Sequence, residues 1–259
     1  MSDSIHPQGS TRFYPDILAV AAVAFGVAAA VLFSYTGLWQ NLAGAVLMML
    51  FAMSRIARER MLEKAGEVTQ ASIMLDRWTA YIGFFFIYVS LGLRLAPQPM
   101  PGTLTPWGGS IWVLCAAAAF LCHSPQARLR YYYRQVHHWW SEGRELPASH
   151  SMEKHTPAFQ QLRESLIQRY GSPLQMPEEA RRQLLNGSLH LQRPARLLSF
   201  EVRALVLSVA CIAGVPWVYL LFEIIVLCLV YIYMHKSHEA LCTKVYRQIT
   251  QSPQDENIV

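Results

Sequence analysis

Charged residues are scarce in this sequence. Asp, Glu, Lys and Arg make up 15% of its 259 residues, whereas a soluble domain carries roughly a quarter. Apolar residues make up 53% of the chain, and the mean hydropathy is +0.21. This shortage of charge argues against an ordinary water-exposed surface and indicates that much of the chain faces lipid.

The sequence also lacks the short motifs that usually carry chemistry. None of the five cysteines forms a CxxC pair, and four lie in or at the ends of apolar runs. They are therefore interpreted as small hydrophobic residues rather than a disulfide framework or a zinc site. There is no glycine-rich phosphate loop and no GxSxG elbow. No cleavable signal peptide is evident, so the first span is expected to remain as an anchor.

Histidines are the remaining candidates for metal ligands. His235 and His238 are three residues apart, with Glu239 beside them, and His137 and His138 are adjacent. Two ligands at helical spacing fit zinc, but a zinc site needs at least a third strong ligand at a fixed position. Because the sequence offers none, no metal site is predicted.

Long apolar runs dominate what is present. A helix needs about 20 apolar residues to cross a bilayer. The predicted fold is an all-α polytopic membrane protein with about six transmembrane helices and a cytoplasmic loop region between spans four and five. The apolar runs are Ile17–Leu38, Leu42–Met53, Trp78–Leu93, Trp107–Cys122 and Ala204–Met234.

The last run is too long for one span. Gly214-Val-Pro216 lies in its middle and favours a turn that divides the run into spans five and six. A single long helix kinked at Pro216 is the alternative. In the first run, Ala22, Gly26 and Ala30 are four apart, so one helix face is small enough for close packing.

The domain organisation follows from these runs. Residues 1–123 are predicted to hold spans one to four, 198–235 spans five and six, and 236–259 a cytoplasmic tail. Residues 124–197 form the water-exposed region, broken by prolines, so that its helices are expected to be short. The best of these is Pro157–Tyr170, where apolar residues recur at helical spacing. About 70 residues are few for a core, which predicts a cap on the membrane domain or a partly mobile loop.

Basic residues indicate the orientation. Six spans place residues 1–16, 55–77, 124–203 and 235–259 on one side, with one, five, twelve and three Lys or Arg, which is 21 of the 22 in the chain. Only Arg94 falls on the other side. Cytoplasmic loops carry the excess of positive charge, so both termini and the large loop are predicted to be cytoplasmic, in a bacterial inner membrane. The net charge of +5 is attributed to this bias, and no nucleic-acid partner is predicted.

Three polar features lie close to the predicted membrane. Arg55 and Arg58 are three apart where span two ends, and Asp76 precedes span three. Guanidinium forks suit phosphate oxygens, although basic anchoring at a membrane surface requires the same charges. Glu223 lies within the last span, where a carboxylate is costly and therefore either functional or a hydrogen-bonded lock between helices.

The order of features resembles the CDP-alcohol phosphatidyltransferases, six-span enzymes that join an activated phosphate to an alcohol. Their first span has a proline-containing start, as Tyr14-Pro-Asp-Ile-Leu18 has. Their motif joins spans two and three, where this chain has Ser54-Arg-Ile-Ala57-Arg58, Gly66-Glu-Val-Thr69 and Asp76-Arg77. The basic segment after span four resembles Gln126-Ala-Arg-Leu-Arg130, and the closing resemblance runs from Pro216 through Glu223 to His238-Glu239.

The resemblance implies a site at the cytoplasmic interface. In that family four aspartates hold two metal ions, and one acts as base on the alcohol. Here Asp76 alone remains; Leu50 and Met53 occupy the positions of the first two aspartates, or Arg55 and Arg58 in another register. Mg²⁺ or Mn²⁺ is implied only where that chemistry is retained. The resemblance assigns Asp76 as the catalytic acid and four arginines as phosphate ligands: Arg55, Arg58, Arg128 and Arg130.

Two hypotheses for function follow. The first is a divergent CDP-alcohol phosphatidyltransferase-like protein, acting in phospholipid headgroup metabolism or catalytically inactive. The second is a non-catalytic membrane subunit or scaffold that binds a protein partner through its cytoplasmic loop and tail. Membrane lipids are partners in both hypotheses, and homo-oligomer formation stays open.

Overall fold

The computed structural model describes residues 13–65, 70–143 and 156–251, and most of them are helical. The predicted all-α class is confirmed within these ranges. The α-helices are α1 (Phe13–Phe33), α2 (Leu38–Ala65), α3 (Gln70–Leu95), α4 (Ser110–Ala116), α5 (Ser124–Glu142), α6 (Pro157–Tyr170), α7 (Glu178–Ala195), α8 (Phe200–Ile212), α9 (Trp217–Leu221) and α10 (Leu227–Gln251). Two π-helical segments, Ala117–His123 and Phe222–Val226, and two 3₁₀ turns, Pro173–Gln175 and Arg196–Leu198, join some of them.

Several helices are long and apolar enough to cross a bilayer, as expected for a polytopic membrane protein. Within the described ranges there are five such helical stretches, against about six predicted spans. The difference is α8, predicted as span five, which has 13 residues. At 1.5 Å per residue it is roughly 20 Å long, whereas the hydrocarbon core is about 30 Å thick. The five stretches are Pro15–Phe33, Leu38–Leu62, Met74–Leu95, Ser110–Glu142 and Trp217–Gln251.

The turn predicted between spans five and six is confirmed. Helix α8 ends at Ile212 and α9 begins at Trp217, so the alternative of one kinked helix is wrong. Gly214 adopts a φ of 75°, a left-handed conformation that suits glycine at a helix end. Pro216 directly precedes α9, where its missing N–H costs no helical hydrogen bond.

Span four is predicted to lie within Trp107–Cys122, but the helix that contains it does not end there. The chain remains helical from α4 through the π segment Ala117–His123 into α5. A proline inside a helix removes one backbone donor and crowds the preceding turn. The π segment ends two residues before Pro125, and a π turn is wider than an α turn. The proline is therefore accommodated at the start of α5 instead of ending the helix.

The described contacts divide the chain into two compact units. One, here called the membrane unit, comprises Met1–Leu121 and Phe200–Ile224. The other, here called the bundle unit, comprises Cys122–Ser199 and Ile225–Val259. The grouping joins most of the predicted loop 124–197 to the predicted tail 236–259, and it places α8 and α9 with the first four predicted spans.

Close packing of α1, α2 and α3 forms the core of the membrane unit. Ala22 and Ala30 are buried, and Gly26 lies on the same face of α1, as the spacing predicted. The Phe51 ring fills the space at two glycines: a Cβ atom on Gly26 would lie 2.9 Å from it, and one on Gly83 would lie 2.5 Å from it. Small residues at both positions are therefore required for this aromatic ring to pack between the helices.

Arg94 joins three helix ends in the membrane unit. Its guanidinium Nη1 donates hydrogen bonds to the Phe33 carbonyl at 3.2 Å and to Asn41 Oδ1 at 2.7 Å, and its Nη2 donates to the Cys211 carbonyl at 3.3 Å. Phe33 and Cys211 lie at the C-terminal ends of α1 and α8, where carbonyls lack helical partners and the helix dipole favours a cation. The buried Arg94 therefore satisfies acceptors inside the protein.

The bundle unit has a core of its own, built mainly from aromatic residues. His238 of α10 is buried at its centre, with four ring centroids between 4.5 and 6.3 Å from the imidazole. These rings belong to Tyr132, Tyr133, Trp140 and Phe159. The expectation of short helices is wrong for α5 and α7, which have 19 and 18 residues. The core is completed by α10, which lies outside residues 124–197. The predicted helix Pro157–Tyr170 is confirmed as α6.

Candidate functional site

Three of the predicted site residues lie together in the membrane unit. The Arg55 guanidinium binds the Asp76 carboxylate in a fork: Nη2 lies 2.6 Å from Oδ2, and Nε lies 3.3 Å from Oδ1. Arg58 Nη1 lies 4.0 Å from the same Oδ1. Two guanidinium groups therefore converge on one carboxylate where α2 leaves its apolar segment and α3 enters its own. We call these three side chains the Arg55–Arg58–Asp76 cluster.

Arg58 is the most enclosed member of the cluster. Its side chain is 3% exposed, compared with 17% for Arg55 and 35% for Asp76. Its Nε donates a hydrogen bond of 3.1 Å to the Pro15 carbonyl near the start of α1. A buried guanidinium needs hydrogen-bond acceptors for its donors. Arg58 finds one of them on α1 and therefore links α1 to α2.

Arg55 is positioned by an aromatic group as well as by Asp76. Its Cζ atom lies 4.6 Å from the centroid of the Phe200 ring, a distance at which a cation is attracted to the ring face. Phe200 in turn packs edge-on against Phe51, with centroids 4.7 Å apart. The Thr79 hydroxyl donates to the Asp76 carbonyl at 2.8 Å. The fork is thus fixed from α2, α3 and α8.

This geometry determines what Asp76 can do. Both of its carboxylate oxygens are engaged by Arg55, and charge-assisted forks of this kind are among the stronger hydrogen bonds in proteins. A carboxylate acting as a proton acceptor or a metal ligand needs a free lone pair facing the substrate. The Arg55 fork uses two of the roughly four lone-pair positions of the carboxylate, so a substrate or metal ion would have to share Asp76 with Arg55.

The other two predicted phosphate ligands belong to the bundle unit. Arg128 and Arg130 lie in the first two turns of α5; Arg128 is exposed and Arg130 is partly buried. The structure therefore brings Arg55 and Arg58 together with Asp76, and it assigns Arg128 and Arg130 to the other compact unit.

Glu223, singled out as an intramembrane acid, forms a buried ion pair with Arg203. Both side chains are almost completely inaccessible to solvent, and Arg203 Nη1 donates to Glu223 Oε1. Arg203 lies in the first turn of α8, and Glu223 lies in the π segment Phe222–Val226. The pair therefore connects the helices on either side of the Gly214 turn.

Two tyrosines accompany this ion pair. Tyr88 of α3 and Tyr219 of α9 are buried, their rings are nearly parallel with centroids 6.4 Å apart, and both lie within electrostatic range of Arg203 and Glu223. The pair thus sits among polar aromatic groups rather than in a purely aliphatic core. Polar clusters in the interior of membrane proteins, and π segments, are both common at functional sites.

The count of basic residues assigns Arg203 to a predicted cytoplasmic loop, and therefore does not identify it as a site residue. The signal was nevertheless present in the sequence. Buried residues of α8 recur at three- and four-residue spacing through Phe200, Arg203, Ala204 and Leu207, so the helical pattern places Arg203 on the apolar face. An arginine on such a face needs an internal acid, and Glu223 is the acid in the following apolar run.

The histidines within the described residues show no arrangement for holding a metal ion. Across the ranges described, no three His, Cys, Asp or Glu side chains are grouped for coordination. His137 Nδ1 lies 2.7 Å from the Ser188 hydroxyl, and His138 Nδ1 lies 3.1 Å from Glu142 Oε1. His238 packs among aromatic rings, with its Nε2 atom 3.7 Å from Cys242 Sγ.

Comparison of the chain with models of protein families, with curated proteins and with solved structures finds no match.

Proposed function

We propose that this chain is a non-catalytic subunit of the bacterial inner membrane that presents its helical bundle unit to a protein partner in the cytoplasm. In this proposal both termini are cytoplasmic, because 20 of the 22 basic residues fall in alternate predicted loops when Arg203 is assigned to α8. The membrane unit would keep a CDP-alcohol phosphatidyltransferase-like order of features without its transfer chemistry.

The proposal rests mainly on the contacts that the Asp76 carboxylate makes with Arg55 and Arg58. It is the aspartate that remains from the family motif in this sequence, and the Arg55 fork engages both of its oxygens. Asp76 is also within 4.0 Å of Arg58, so two positive groups neutralise it. A base that must accept a proton from an alcohol is poorly served by a carboxylate held in this way. The cluster therefore has the form of an interhelical ion pair.

The bundle unit supports the second part of the proposal. It buries its own aromatic core, and its described segments 122–143, 156–199 and 225–251 form four long α-helices. A simple connection between membrane helices needs no folded core, because typical connections are a few residues long. A folded unit of this size provides a pre-organised surface of the kind that many protein complexes use.

Transfer activity is tested with the purified full-length protein. The assay supplies CDP-diacylglycerol, a set of short alcohols and Mg²⁺ or Mn²⁺, and measures release of CMP. The expected result is no release above that of Asp76→Asn or of Asp16→Asn, a control at an exposed acid at the start of α1. Release by the wild type that Asp76→Asn abolishes and Asp16→Asn preserves would contradict the proposal and establish the transferase.

Partner binding is tested by crosslinking in intact cells. A photo-crosslinking residue placed at exposed positions of the bundle unit, such as Asn186 or Gln248, should give a discrete adduct with one protein. The same residue at Val31, an exposed apolar position of α1, should not give that adduct. Identical adducts from both units would indicate nonspecific capture and would count against the scaffold.

A second candidate function is recognition of an anionic phosphate group by the Arg55–Arg58–Asp76 cluster. The observation that favours it is the convergence of two guanidinium groups on one partly exposed anion. A phosphate of suitable shape can replace a carboxylate in an arginine fork. Such a ligand would compete with Asp76 for Arg55.

Conservative substitution tests this second function. Arg55→Lys and Arg58→Lys retain the charge but remove the fork, so they should reduce thermal stabilisation by CDP-diacylglycerol or an anionic lipid. Arg182→Lys, at an exposed arginine of α7, is the control and should leave the stabilisation unchanged. Equal losses in all three variants, or no stabilisation of the wild type, would count against a phosphate site.

A further inference from the structure

Charge is strongly segregated within the bundle unit. The chain passes between the two units at residues 121/122, 199/200 and 224/225. The adjoining segments 122–141, 186–199 and 225–238 together contain five arginines, one lysine and no aspartate or glutamate. The acidic residues of the unit all lie outside these three segments. The part of the bundle unit nearest to its chain connections is therefore uniformly basic.

Contacts between α5 and α10 show that these helices run parallel from a common end. Gln126 Nε2 lies 3.3 Å from Cys228 Sγ in the first turns of the two helices, and the Tyr133 hydroxyl donates to the Met234 carbonyl at 3.4 Å about two turns later. Arg128 therefore lies near this end of the bundle, whereas Lys236 lies two residues beyond Met234, about 12 Å along α10 from Cys228.

Helix α7 runs antiparallel to α5 and brings its C-terminal residues to that end. Arg181, near the start of α7, donates a 3.2 Å hydrogen bond to the Ser141 carbonyl near the end of α5. Ser188 lies 2.7 Å from His137, one turn closer to the start of α5. The same register continues to the 3₁₀ turn Arg196–Leu198, which packs against both α5 and α10.

Four basic side chains within about 12 Å of this end along the helices are exposed, and none has an ion-pair partner within residues 13–65, 70–143 and 156–251. We call them the basic collar, and they come from three helices and the 3₁₀ turn: Arg128, Lys236, Arg193 and Arg196.

Apolar and aromatic side chains accompany the basic collar. Leu197 is 43% exposed beside Arg196, and Tyr233 is 57% exposed three residues before Lys236. On α10 the exposed apolar positions Leu229 and Ile232 precede Tyr233, so its surface changes from apolar to basic within about two turns. Tyrosines and long basic side chains occupy this position at the boundary between hydrocarbon and lipid headgroups.

We propose that the basic collar is a binding surface for anionic phospholipid headgroups. Clusters of basic residues next to a membrane helix attract anionic lipids, each contributing a substantial part of the binding energy. The absence of acids from the three adjoining segments means that a phosphate group meets no opposing carboxylate there. The basic collar would bind anionic lipids whether or not the bundle unit also binds a protein partner, and whether or not Arg55 remains paired with Asp76.

The test uses the full-length protein reconstituted in phosphatidylcholine bilayers. Electron spin resonance measures how strongly spin-labelled phosphatidylglycerol and spin-labelled phosphatidylcholine associate with it, at low and high salt. A collar variant and a control variant each remove three exposed charges: the collar variant from α7, its following turn and α10, and the control variant from α7 and α10. The collar variant is Arg193→Gln, Arg196→Gln and Lys236→Gln, and the control variant is Arg182→Gln, Lys244→Gln and Arg247→Gln.

The wild type should prefer phosphatidylglycerol, and high salt should weaken that preference because headgroup attraction is screened. The collar variant should lose up to about fivefold of the preference for each charge removed, and the control variant should keep most of it. Lack of preference in the wild type, or equal losses in both variants, would overturn the proposal. If the collar variant fails to fold, as judged by helical circular dichroism, Arg196→Gln alone and the salt dependence of the wild type decide the question.

Discussion

The buried ion pair between Arg203 and Glu223 leads to a quantitative prediction. Both side chains are at most 2% exposed and lie in the membrane unit. Glu223→Met would leave the Arg203 guanidinium buried without its carboxylate, and Arg203→Met would leave the carboxylate without its guanidinium. Removing one member of a buried pair costs about 3–5 kcal/mol, because the remaining charge loses its partner without regaining water.

The double variant, Arg203→Met with Glu223→Met, removes both charges and keeps unbranched side chains of similar length. Replacement of a buried pair by apolar groups is often neutral or stabilising. We therefore expect the double variant to lie within about 1 kcal/mol of the wild type, so that the coupling energy of the pair is at least about 5 kcal/mol. Two independent packing contributions would instead give a coupling energy near zero.

The assay is equilibrium unfolding of the purified protein in mixed micelles with increasing SDS, followed by circular dichroism. Ser208→Ala is the matched control, because Ser208 is buried on the same helix and carries no charge; its cost should be about 1 kcal/mol or less. The reasoning fails if both single variants behave like this control. It also fails if the double variant loses the sum of the two single costs.

Three further predictions concern the membrane unit. Gly83→Leu should prevent α3 from packing on Phe51 and lower the unfolding midpoint in the same SDS assay, whereas Gly109→Ala, with open space around its Cβ position, should not. Arg94→Lys should cost about 1–3 kcal/mol in unfolding free energy, because one ammonium cannot reach acceptors on three helices as the guanidinium does; wild-type stability in this variant would contradict the capping role. A topology reporter after Val259 should report the cytoplasm and one near Gly102 the opposite side; the same answer from both would refute the proposed orientation.

Helices flanked by clear start and stop residues were predicted well from the sequence. Helix α6 has the predicted bounds, because Pro157 is pre-organised for a first turn and Gly171 takes a positive φ after the last one. Gly214 and Pro216 likewise mark the end of α8 and the start of α9. Local backbone chemistry decides these boundaries, and it is visible in a few consecutive residues.

Predictions failed where distant parts of the chain pack together. Residues 124–142 were interpreted as part of a broken loop because Pro125 and many polar residues suggest a helix end. In the structure they form α5, whose aromatic face packs around His238, about 100 positions later in the sequence. No local pattern shows that a tail and a loop share a core, so the size of the bundle unit was underestimated.

The candidate site was predictable in part. The proximity of Arg55, Arg58 and Asp76 follows from their positions at the ends of two consecutive apolar runs. The fork between Arg55 and Asp76 does not follow, because it depends on the rotation of α2 and α3 about their axes. Arg94 shows the same limit: a charge count treats it as a surface residue, whereas its guanidinium is buried and hydrogen bonded to atoms of three other segments.

The two π-helical segments have a consequence for how this chain tolerates changes in length. Each coincides with a passage between the units, at 121/122 within Ala117–His123 and at 224/225 within Phe222–Val226. A π turn holds about one residue more than an α turn, and each residue of a helix advances the side chains by about 100°. Deleting one residue there would convert the π turn into an α turn, so the later side chains would keep their directions around the helix axis. The same deletion in a regular part of α5 or α10 would rotate every later side chain by that angle. The π segments are therefore places where the chain can lose a residue without changing which residues of α5 and α10 face the core.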